Sequence, residues 1–391
     1  MSDFRILITG GQLYGNLGSA AMAIVTINHL REQFPEAQIS FVSKYFEGEN
    51  RNISRFFESQ DVLNLIRSTQ LRATFVDLPL LIIAKMLGAP NIACRLSHTV
   101  QSFAKSDIVI DIGGITFSEE RGLTGLLINI TWVLLPALVG KPIVKLSQAF
   151  GHIRRRWFHV VSRTMLHNVD VLIARGQISS EELEKLALQQ KIHVCADLAF
   201  LLKPEKTENT RHFVSSEGIL VGVAPSSVMF NKLGRQTYID LMTTCIKWIL
   251  TRYEDSNVWI CAHAFREGEM LSNNDGPICR RIYDALPKDF VSRTRLITGD
   301  YTPGEMRQII GKTDVFLASR FHAMISALAM GVPVMVFGWS HKYREVQAQF
   351  GLDNCINQEA DPEEVCELLE HIIAKRHTIR DQIISKLPEV L

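Results

Sequence analysis

Residues 314–325, DVFLASRFHAMI, join a short apolar strand directly to a helix. The strand, Asp314 to Ala318, is apolar after its first position, which is typical of a parallel strand covered on both faces. A second apolar run, Val332 to Phe337, follows the helix that starts at Phe321. This strand–helix–strand succession predicts a doubly wound parallel sheet.

The same alternation of strands and helices runs through both halves of the chain. Strands are predicted at residues 4–9, 39–43, 107–111, 142–147, 169–174, 218–223, 258–263, 295–298, 314–318 and 332–337. A polar stretch, Lys203 to Arg211, interrupts the pattern and indicates a linker. Because 391 residues exceed one ordinary core, we expect two Rossmann-like α/β domains around a cleft, residues 1–203 and 204–391.

Charge is almost balanced, with 42 Lys and Arg residues against 41 Asp and Glu residues. Such a chain has no overall field that would hold a nucleic acid, so an anionic ligand must be bound by local groups. The seven cysteines form no Cys-x-x-Cys pair, which indicates reduced thiols and a cytoplasmic location. No His and Cys cluster has zinc spacing, and the amino terminus does not resemble a signal peptide. We therefore expect no metal, no nucleic-acid partner and no export.

Two apolar stretches, Leu78 to Leu87 and Leu123 to Gly140, fall short of a membrane span. A span needs about 20 apolar residues, and the second stretch also contains Asn129, Thr131 and Pro136. We interpret both stretches as core helices. The alternative is that one of them makes a peripheral contact with the inner face of the membrane.

Two cationic side chains stand at the start of the helix after residue 318. With Ser319 as the expected N-cap, Arg320 and His322 occupy the first turn. Each opposes the helix dipole by about 0.3–1 kcal/mol, so we expect an anionic group to offset the cost. A bound phosphate or carboxylate between Arg320 and the backbone N–H groups would do so. The alternative is a surface arginine beside a core histidine.

A further cation, Lys342, follows the strand that ends at Phe337. Adjacent parallel strands end at the same edge of a sheet, which predicts that Lys342 and Arg320 share a cleft. The alternative is that the Lys342 amine is only solvated.

A glycine-containing loop follows the first strand, with Gly15, Asn16, Gly18 and Ser19 just before a helix. Glycines let backbone N–H groups approach a ligand, and a helix N-terminus favours negative charge, so the loop is a candidate anion cradle. The alternative is a tight turn capped by Ser19.

Other polar or glycine residues follow later strands of the first half. Gly113 and Gly114 leave the strand that ends at Asp111, at the sheet edge where α/β proteins bind ligands. Gln148 and Arg175 each follow a strand and are candidates to face the second domain across the cleft. Strand-end residues of these types also often only cap turns and helices.

Taken in chain order, these motifs resemble the polysaccharide pyruvyltransferase family. The resemblance rests on Ser319-Arg320-Phe321-His322-Ala323, Gly331-Val332-Pro333 and Lys342. It also rests on the Gly15-Asn16-Leu17-Gly18 loop, the Gly113-Gly114 turn, Ser147-Gln148-Ala149-Phe150-Gly151, the turn from Arg175 to Ser179, and Ala196-Asp197-Leu198-Ala199-Phe200-Leu201-Leu202. It implies a GT-B-like fold with the acceptor on the N-terminal side, phosphoenolpyruvate as donor and a lipid-linked or polysaccharide sugar diol as acceptor.

The same resemblance assigns roles to individual residues. It places the family's catalytic histidine at His322 and its anion-binding arginine at Arg320. We expect the His322 imidazole to be the acid, and Arg320 and Lys342 to hold the donor's phosphate and carboxylate. No cofactor other than the phosphoenolpyruvate co-substrate is expected.

One departure from the family pattern lies in the opening loop. The family loop usually continues G-D-E-A, whereas this chain has Gly18-Ser19-Ala20-Ala21, without either carboxylate. A changed acceptor or a weakened activity follows as an expectation. Two alternatives stay open: a glycosyltransferase that uses a nucleotide-sugar on the same architecture, and a non-catalytic protein that binds sugars or lipids.

Overall fold

The computed structural model describes residues 4–43, 46–57, 64–188, 191–214, 218–268, 273–338, 340–356 and 361–391. Internal contacts divide the chain into two compact units. The first unit comprises Met1–Tyr14 and Met22–Leu198, and the second comprises Gly15–Ala21 and Ala199–Leu391. Each unit is built around its own parallel sheet.

The first unit alternates strands with helices. Its strands are β1 (Arg5–Thr9), β2 (Gln38–Ser43), β3 (Asn64–Arg67), β4 (Ile108–Asp111), β5 (Ile115–Thr116), β6 (Ile143–Phe150), β7 (Val171–Arg175) and β8 (Ile192–Cys195). Its helices are α1 (Leu17–Gln33, with its first residues in the second unit), α2 (Phe46–Phe56), α3 (Gln70–Arg72), α4 (Leu78–Met86), α5 (Pro90–Leu96), α6 (His98–Lys105), α7 (Gly122–Leu138), α8 (Arg156–Leu166) and α9 (Gln177–Glu184). A π-helical turn, Ala73–Asp77, joins α3 to α4.

The second unit repeats this organisation. Its strands are β9 (Leu220–Ala224), β10 (Asn257–Cys261), β11 (Thr294–Ile297), β12 (Val315–Ala318), β13 (Val334–Phe337) and β14 (Cys355–Ile356). Its helices are α10 (Glu208–Arg211), α11 (Ser227–Leu233), α12 (Arg235–Arg252), α13 (Gly276–Asp284), α14 (Lys288–Val291), α15 (Pro303–Ile310), α16 (Phe321–Ala329), α17 (His341–Gln349), α18 (Pro362–Ala374) and α19 (Arg376–Val390).

Both sheets reverse their strand order once. The first runs β3-β2-β1-β4-β6-β7-β8, with β5 beside β6, and the second runs β11-β10-β9-β12-β13-β14. In the second sheet Ala318 is in register with Ala224 on one side and Val336 on the other. The segments after β9 and β12 therefore leave the sheet side by side, at the point where α/β sheets bind ligands.

Helix α7 is a crossover helix of the first unit. With the preceding turn it forms the segment Glu119–Leu138, which is long and apolar enough, by length and composition, to cross a membrane. It nevertheless connects β5 to β6 and buries Trp132, Val133 and Leu135. These residues belong to apolar clusters of the first unit, so one side of α7 packs in the core.

The predicted fold class is confirmed, because both units are parallel α/β sheets. The strands that sequence reasoning missed are β3, β5, β8 and β14, which are short and lie largely at sheet edges. Edge strands have a neighbour on one side only, and most residues of β3 and β8 are partly or fully exposed. Such strands lack the continuous apolar run by which the central strands were recognised.

The division between the units differs from the predicted boundary at residues 203 and 204. It falls after Leu198, because the buried Arg307 guanidinium donates hydrogen bonds to the carbonyl oxygens of Ala199 (2.6 Å), Phe200 (3.2 Å) and Leu202. The predicted linker is also partly helical, since α10 occupies its last four residues.

Candidate active site

Arg320 is the N-cap of α16 and lies in the segment that connects β12 to this helix. Arg320 has extended backbone angles, φ −107° and ψ 130°, and α16 begins at Phe321. The prediction that Ser319 is the N-cap is therefore wrong by one residue. Ser319 instead continues the pairing of β12 with β9, because its N–H donates a hydrogen bond to the Ala224 carbonyl (3.0 Å).

The anion that the sequence led us to expect opposite Arg320 is supplied by the chain itself. Asp275 accepts hydrogen bonds from Nε of Arg320 at 2.8 and 3.0 Å and from its terminal nitrogen at 2.5 Å. The side chains of Asn273 (2.7 Å) and Ser227 (2.8 Å) accept from the other guanidinium N–H groups. Burial alone would lower the pKa of Arg320, but the Asp275 carboxylate raises it above its ordinary value. Arg320 is therefore a charged internal brace.

Asp275 joins the ends of three strands. Its side chain is fully buried, and besides Arg320 it accepts from the N–H of Ser227 (2.9 Å) and of Ala264 (2.9 Å). These residues follow β9, β10 and β12, the strands around the order reversal. The Asp275–Arg320 ion pair thus holds together the three segments that follow these strands.

His322 is packed against the opening loop. A Cβ atom built on Gly18 would lie 2.1 Å from both Cγ and Nδ1 of the His322 ring, so only glycine permits this approach. The neighbouring Leu17 N–H donates to the His263 carbonyl at 3.3 Å. The half-buried imidazole therefore lies at the start of α1 as well as at the start of α16.

The opening loop is capped by Asn16. The Asn16 side-chain oxygen accepts from the N–H groups of Gly18 (3.1 Å) and Ser19 (3.2 Å), so the expected cap at Ser19 is replaced by one three residues earlier. Gly15 has φ +78°, and a Cβ there would lie 2.1 Å from Nε of Arg266. The loop is thus closely covered by the Arg266 side chain.

Lys342 lies near the start of α16. Its Nζ is 4.5 Å from the centre of the Phe321 ring, a cation–π distance. The adjacent Tyr343 donates its hydroxyl to the Ser319 carbonyl at 3.3 Å. The second unit accordingly brings Lys342 together with Ser319, His322 and the Arg320 brace.

His263 and Arg266 were missed by the sequence analysis. Both are buried and follow β10, so the rule that identified Lys342, polar residues after a buried strand, applies to them as well. Asp275 follows no strand and carried no comparable signal in the sequence.

In the first unit, Gly113 and Gln148 take part in an internal network. Asp111 accepts from the Gly113 N–H (2.9 Å) and pairs with the buried Lys145 amine. Gln148, which is fully buried, donates to the Asp111 carbonyl at 2.8 Å. Gly114 continues the same turn, where an added Cβ would meet only Met22 Cε at 4.0 Å.

Arg175 is likewise an internal brace. It is 2% exposed, pairs with Asp197 at 2.8 Å, and donates through two nitrogens to the Ser147 carbonyl at 2.6 and 3.0 Å. Ser147 has φ +40°, and the register of β6 and β7 shifts there. Arg175 thus stabilises a strained bulge, and its polar atoms are engaged within the first unit.

Within the described ranges, no group of three or more His, Cys, Asp or Glu residues is arranged to hold a metal ion.

The buried His263 should make stability depend on pH. Burial, and then the charges of His322, Arg320 and Arg307, lower the pKa of His263 well below its ordinary value. Below about pH 6.5 the unfolded chain then binds a proton that the folded chain does not, so stability falls as pH drops, by up to about 1.4 kcal/mol per unit. Above about pH 7 this contribution is constant. Urea denaturation at a series of pH values measures the slope.

The variant His263→Gln is expected to flatten that slope, whereas His193→Gln, at an exposed position, should leave it unchanged. Equal slopes in the wild type and His263→Gln would contradict the assignment.

Two parallel α/β units, each with one reversal of strand order, define a GT-B-like fold class. The sequence model of the polysaccharide pyruvyl transferase family matches residues 16–341, which is most of the chain and includes every site residue of the second unit except Gly15 and Lys342. The chain therefore belongs to the polysaccharide pyruvyl transferase family.

A curated relative is the amylovoran biosynthesis protein AmsJ of Erwinia amylovora. It is 21% identical over 372 residues, covering 89% of this chain and 86% of AmsJ.

Solved structures show the same fold at low identity. UDP-GlcNAc 2-epimerase from Neisseria meningitidis, bound to UDP-GlcNAc, superposes with a TM-score of 0.61 at 13% identity, covering 97% of this chain and 94% of that one. A glycosyltransferase from Rickettsia africae gives 0.55 at 10% identity, covering 99% and 95%.

Proposed function

We propose that this chain transfers a pyruvyl group from phosphoenolpyruvate to two hydroxyl groups of a sugar, forming a ketal on an exopolysaccharide or its lipid-linked precursor. The observation that carries the proposal is the His322 imidazole, which lies at the start of α16 against Gly18 of the opening loop. The family match spans both elements, which supports the choice of reaction.

The proposed reaction needs a proton donor. Protonation of the methylene carbon of phosphoenolpyruvate leaves a cationic centre at the carbon that bears the phosphate. One sugar hydroxyl adds there and passes its proton to the His322 imidazole. The second hydroxyl then displaces phosphate, which takes up that hydroxyl's proton as it leaves. The first proton comes from the His322 imidazolium, which acts as a general acid.

The cationic side chains near His322 have two different roles: some bind the donor, and another stabilises the local structure. Arg320 is engaged by Asp275, so we assign it to positioning the first turn of α16 instead of to direct anion binding. Lys342, over the Phe321 ring, and Arg266, against Gly15, are assigned to the donor's phosphate and carboxylate. This revises the clamp role that the family resemblance implied for Arg320.

The close contact between Gly18 and His322 gives a prediction. Gly18→Ala places a methyl group where the ring lies, so the imidazole must move, and kcat for pyruvyl transfer should fall about 10²-fold. Phosphate release with saturating donor and acceptor measures the effect. Gly299→Ala is the matched control, because its added Cβ would lie at an ordinary 3.4 Å from Tyr301. Equal turnover in both variants would contradict the positioning of His322 by Gly18.

Ligand stabilisation separates the proposal from its rival, a glycosyltransferase that uses a nucleotide-sugar. A ligand at 100 times its Kd stabilises the folded chain by about 2.7 kcal/mol, which a thermal-shift titration detects. We expect stabilisation by phosphoenolpyruvate. Stabilisation by UDP or GDP alone would favour the rival, which the UDP-GlcNAc bound to the Neisseria epimerase makes worth testing.

A further inference from the structure

The first unit exposes an apolar face on the helical segment that runs from α3 through the π-turn to α4. We call this surface the apolar face. Its exposed apolar residues are Leu71, Phe75, Val76, Ile82, Ile83, Met86 and Leu87, together with Ile92 and Leu96 of α5 and Leu123 and Leu127 of α7. Met86 is 82% exposed, Leu87 76% and Phe75 65%. Clustered exposure of this size marks an interaction surface more often than chance placement.

Helix α4 is apolar on its exposed side as well as on its buried side. One side of α4 buries Leu78, Leu81 and Ala84 in the core, as expected. The opposite side, where polar residues normally stand, carries Ile82, Ile83 and Met86. A helix that is apolar on both sides is covered by something other than water.

The exposed charges of the stretch from residue 64 to residue 106 are all positive. Between residues 64 and 106 the chain carries Arg67, Arg72, Lys85, Arg95 and Lys105, and a single carboxylate, Asp77. Asp77 is fully buried and accepts a hydrogen bond from Ser97 at 2.8 Å. In a chain whose total charge is nearly balanced, this segment therefore presents exposed cations without exposed anions.

We propose that the apolar face docks on the surface of an anionic lipid bilayer. Phe75, Ile83 and Met86 enter the boundary between headgroups and acyl chains, and Arg67 and Arg95 bind lipid phosphates. A second copy of the chain is the less suitable occupant, because a symmetric dimer through this face would bring like charges together. The contact is peripheral, since α7 is a crossover helix with Trp132 and Val133 in the core. The inference does not depend on the proposed reaction.

Flotation of the full chain with vesicles tests the proposal. Wild type is expected to float with vesicles containing about one third phosphatidylglycerol and to remain below with pure phosphatidylcholine. Arg67→Gln/Arg95→Gln should weaken binding to the anionic vesicles about thirtyfold, and high salt should do the same. Phe75→Ser/Met86→Ser should weaken binding to the anionic vesicles by about tenfold or more. The matched control, Val160→Ser/Ile384→Ser, removes exposed apolar side chains elsewhere and should bind like wild type.

Circular dichroism and a thermal melt of each variant confirm that it is folded before flotation. Two results would overturn the proposal. One is a wild-type chain that does not float with anionic vesicles. The other is a concentration-dependent dimer in sedimentation that Phe75→Ser/Met86→Ser dissociates, because the apolar face would then be occupied by a second copy.

Discussion

Substitution of His322 by asparagine is expected to lower kcat for pyruvyl transfer by about 10²–10⁴-fold, the usual contribution of a positioned acid. Asparagine keeps a polar group against Gly18 but has no proton to give at neutral pH. The KM for phosphoenolpyruvate should change much less than kcat, because the interaction lost is one made mainly in the transition state. Steady-state phosphate release with a sugar acceptor measures both quantities.

The matched control is His371→Asn, on the exposed side of α18, which should retain full turnover. If His322→Asn turned over near the wild-type rate while Arg320→Ala did not, His322 would be a positioning residue and the assignment of the acid would be wrong.

Substitution of Asp275 by alanine is expected to destabilise the second unit by about 3–5 kcal/mol. The change leaves the Arg320 guanidinium without its carboxylate and removes the acceptor of the Ser227 and Ala264 N–H groups. Urea denaturation measures the free energy of unfolding. Asp284→Ala, at the exposed last position of α13, is the control. It should lower the free energy of unfolding by less than half as much as Asp275→Ala does.

A double-mutant cycle of Asp275→Ala with Arg320→Met measures the interaction free energy between these two side chains. If Asp275→Ala leaves an unpaired buried charge, then adding Arg320→Met should recover part of the lost stability. A loss below 1 kcal/mol in Asp275→Ala, or strict additivity in the double variant, would show that the ion pair does not hold the strand ends.

The central strands of both sheets were predictable because they are buried on both faces. β12 and β13 contain only buried residues, and this leaves a continuous apolar run in the sequence. The edge strands β3 and β8 face solvent over part of their surface, so their sequence differs little from that of a loop. The central strands of a parallel sheet can therefore be predicted from sequence, whereas these edge strands could not.

The places of the candidate residues in the fold were predictable, but their contacts were less so. Polar residues after a buried strand were correctly placed at the sheet edge, as with Lys342 and His322. Sequence position alone does not say whether such a side chain turns inward. Gln148 and Arg175 follow strands in the same way, yet both are buried in internal networks.

The partner of Arg320 was not predictable. Asp275 lies 45 residues away along the chain and reaches Arg320 only through the tertiary fold. A cation at a helix start needs an anion nearby. The sequence does not distinguish a bound ligand from a carboxylate of the protein in that role.

The most direct test of the account is the product itself. Incubation with phosphoenolpyruvate and a panel of lipid-linked glycans, followed by mass spectrometry, should show the mass of one added pyruvyl ketal on an acceptor. Inorganic phosphate should appear in equal amount, and both signals should be lost in His322→Asn. Transfer that requires a nucleotide-sugar in place of phosphoenolpyruvate, or phosphate release that His322→Asn leaves intact, would contradict the account.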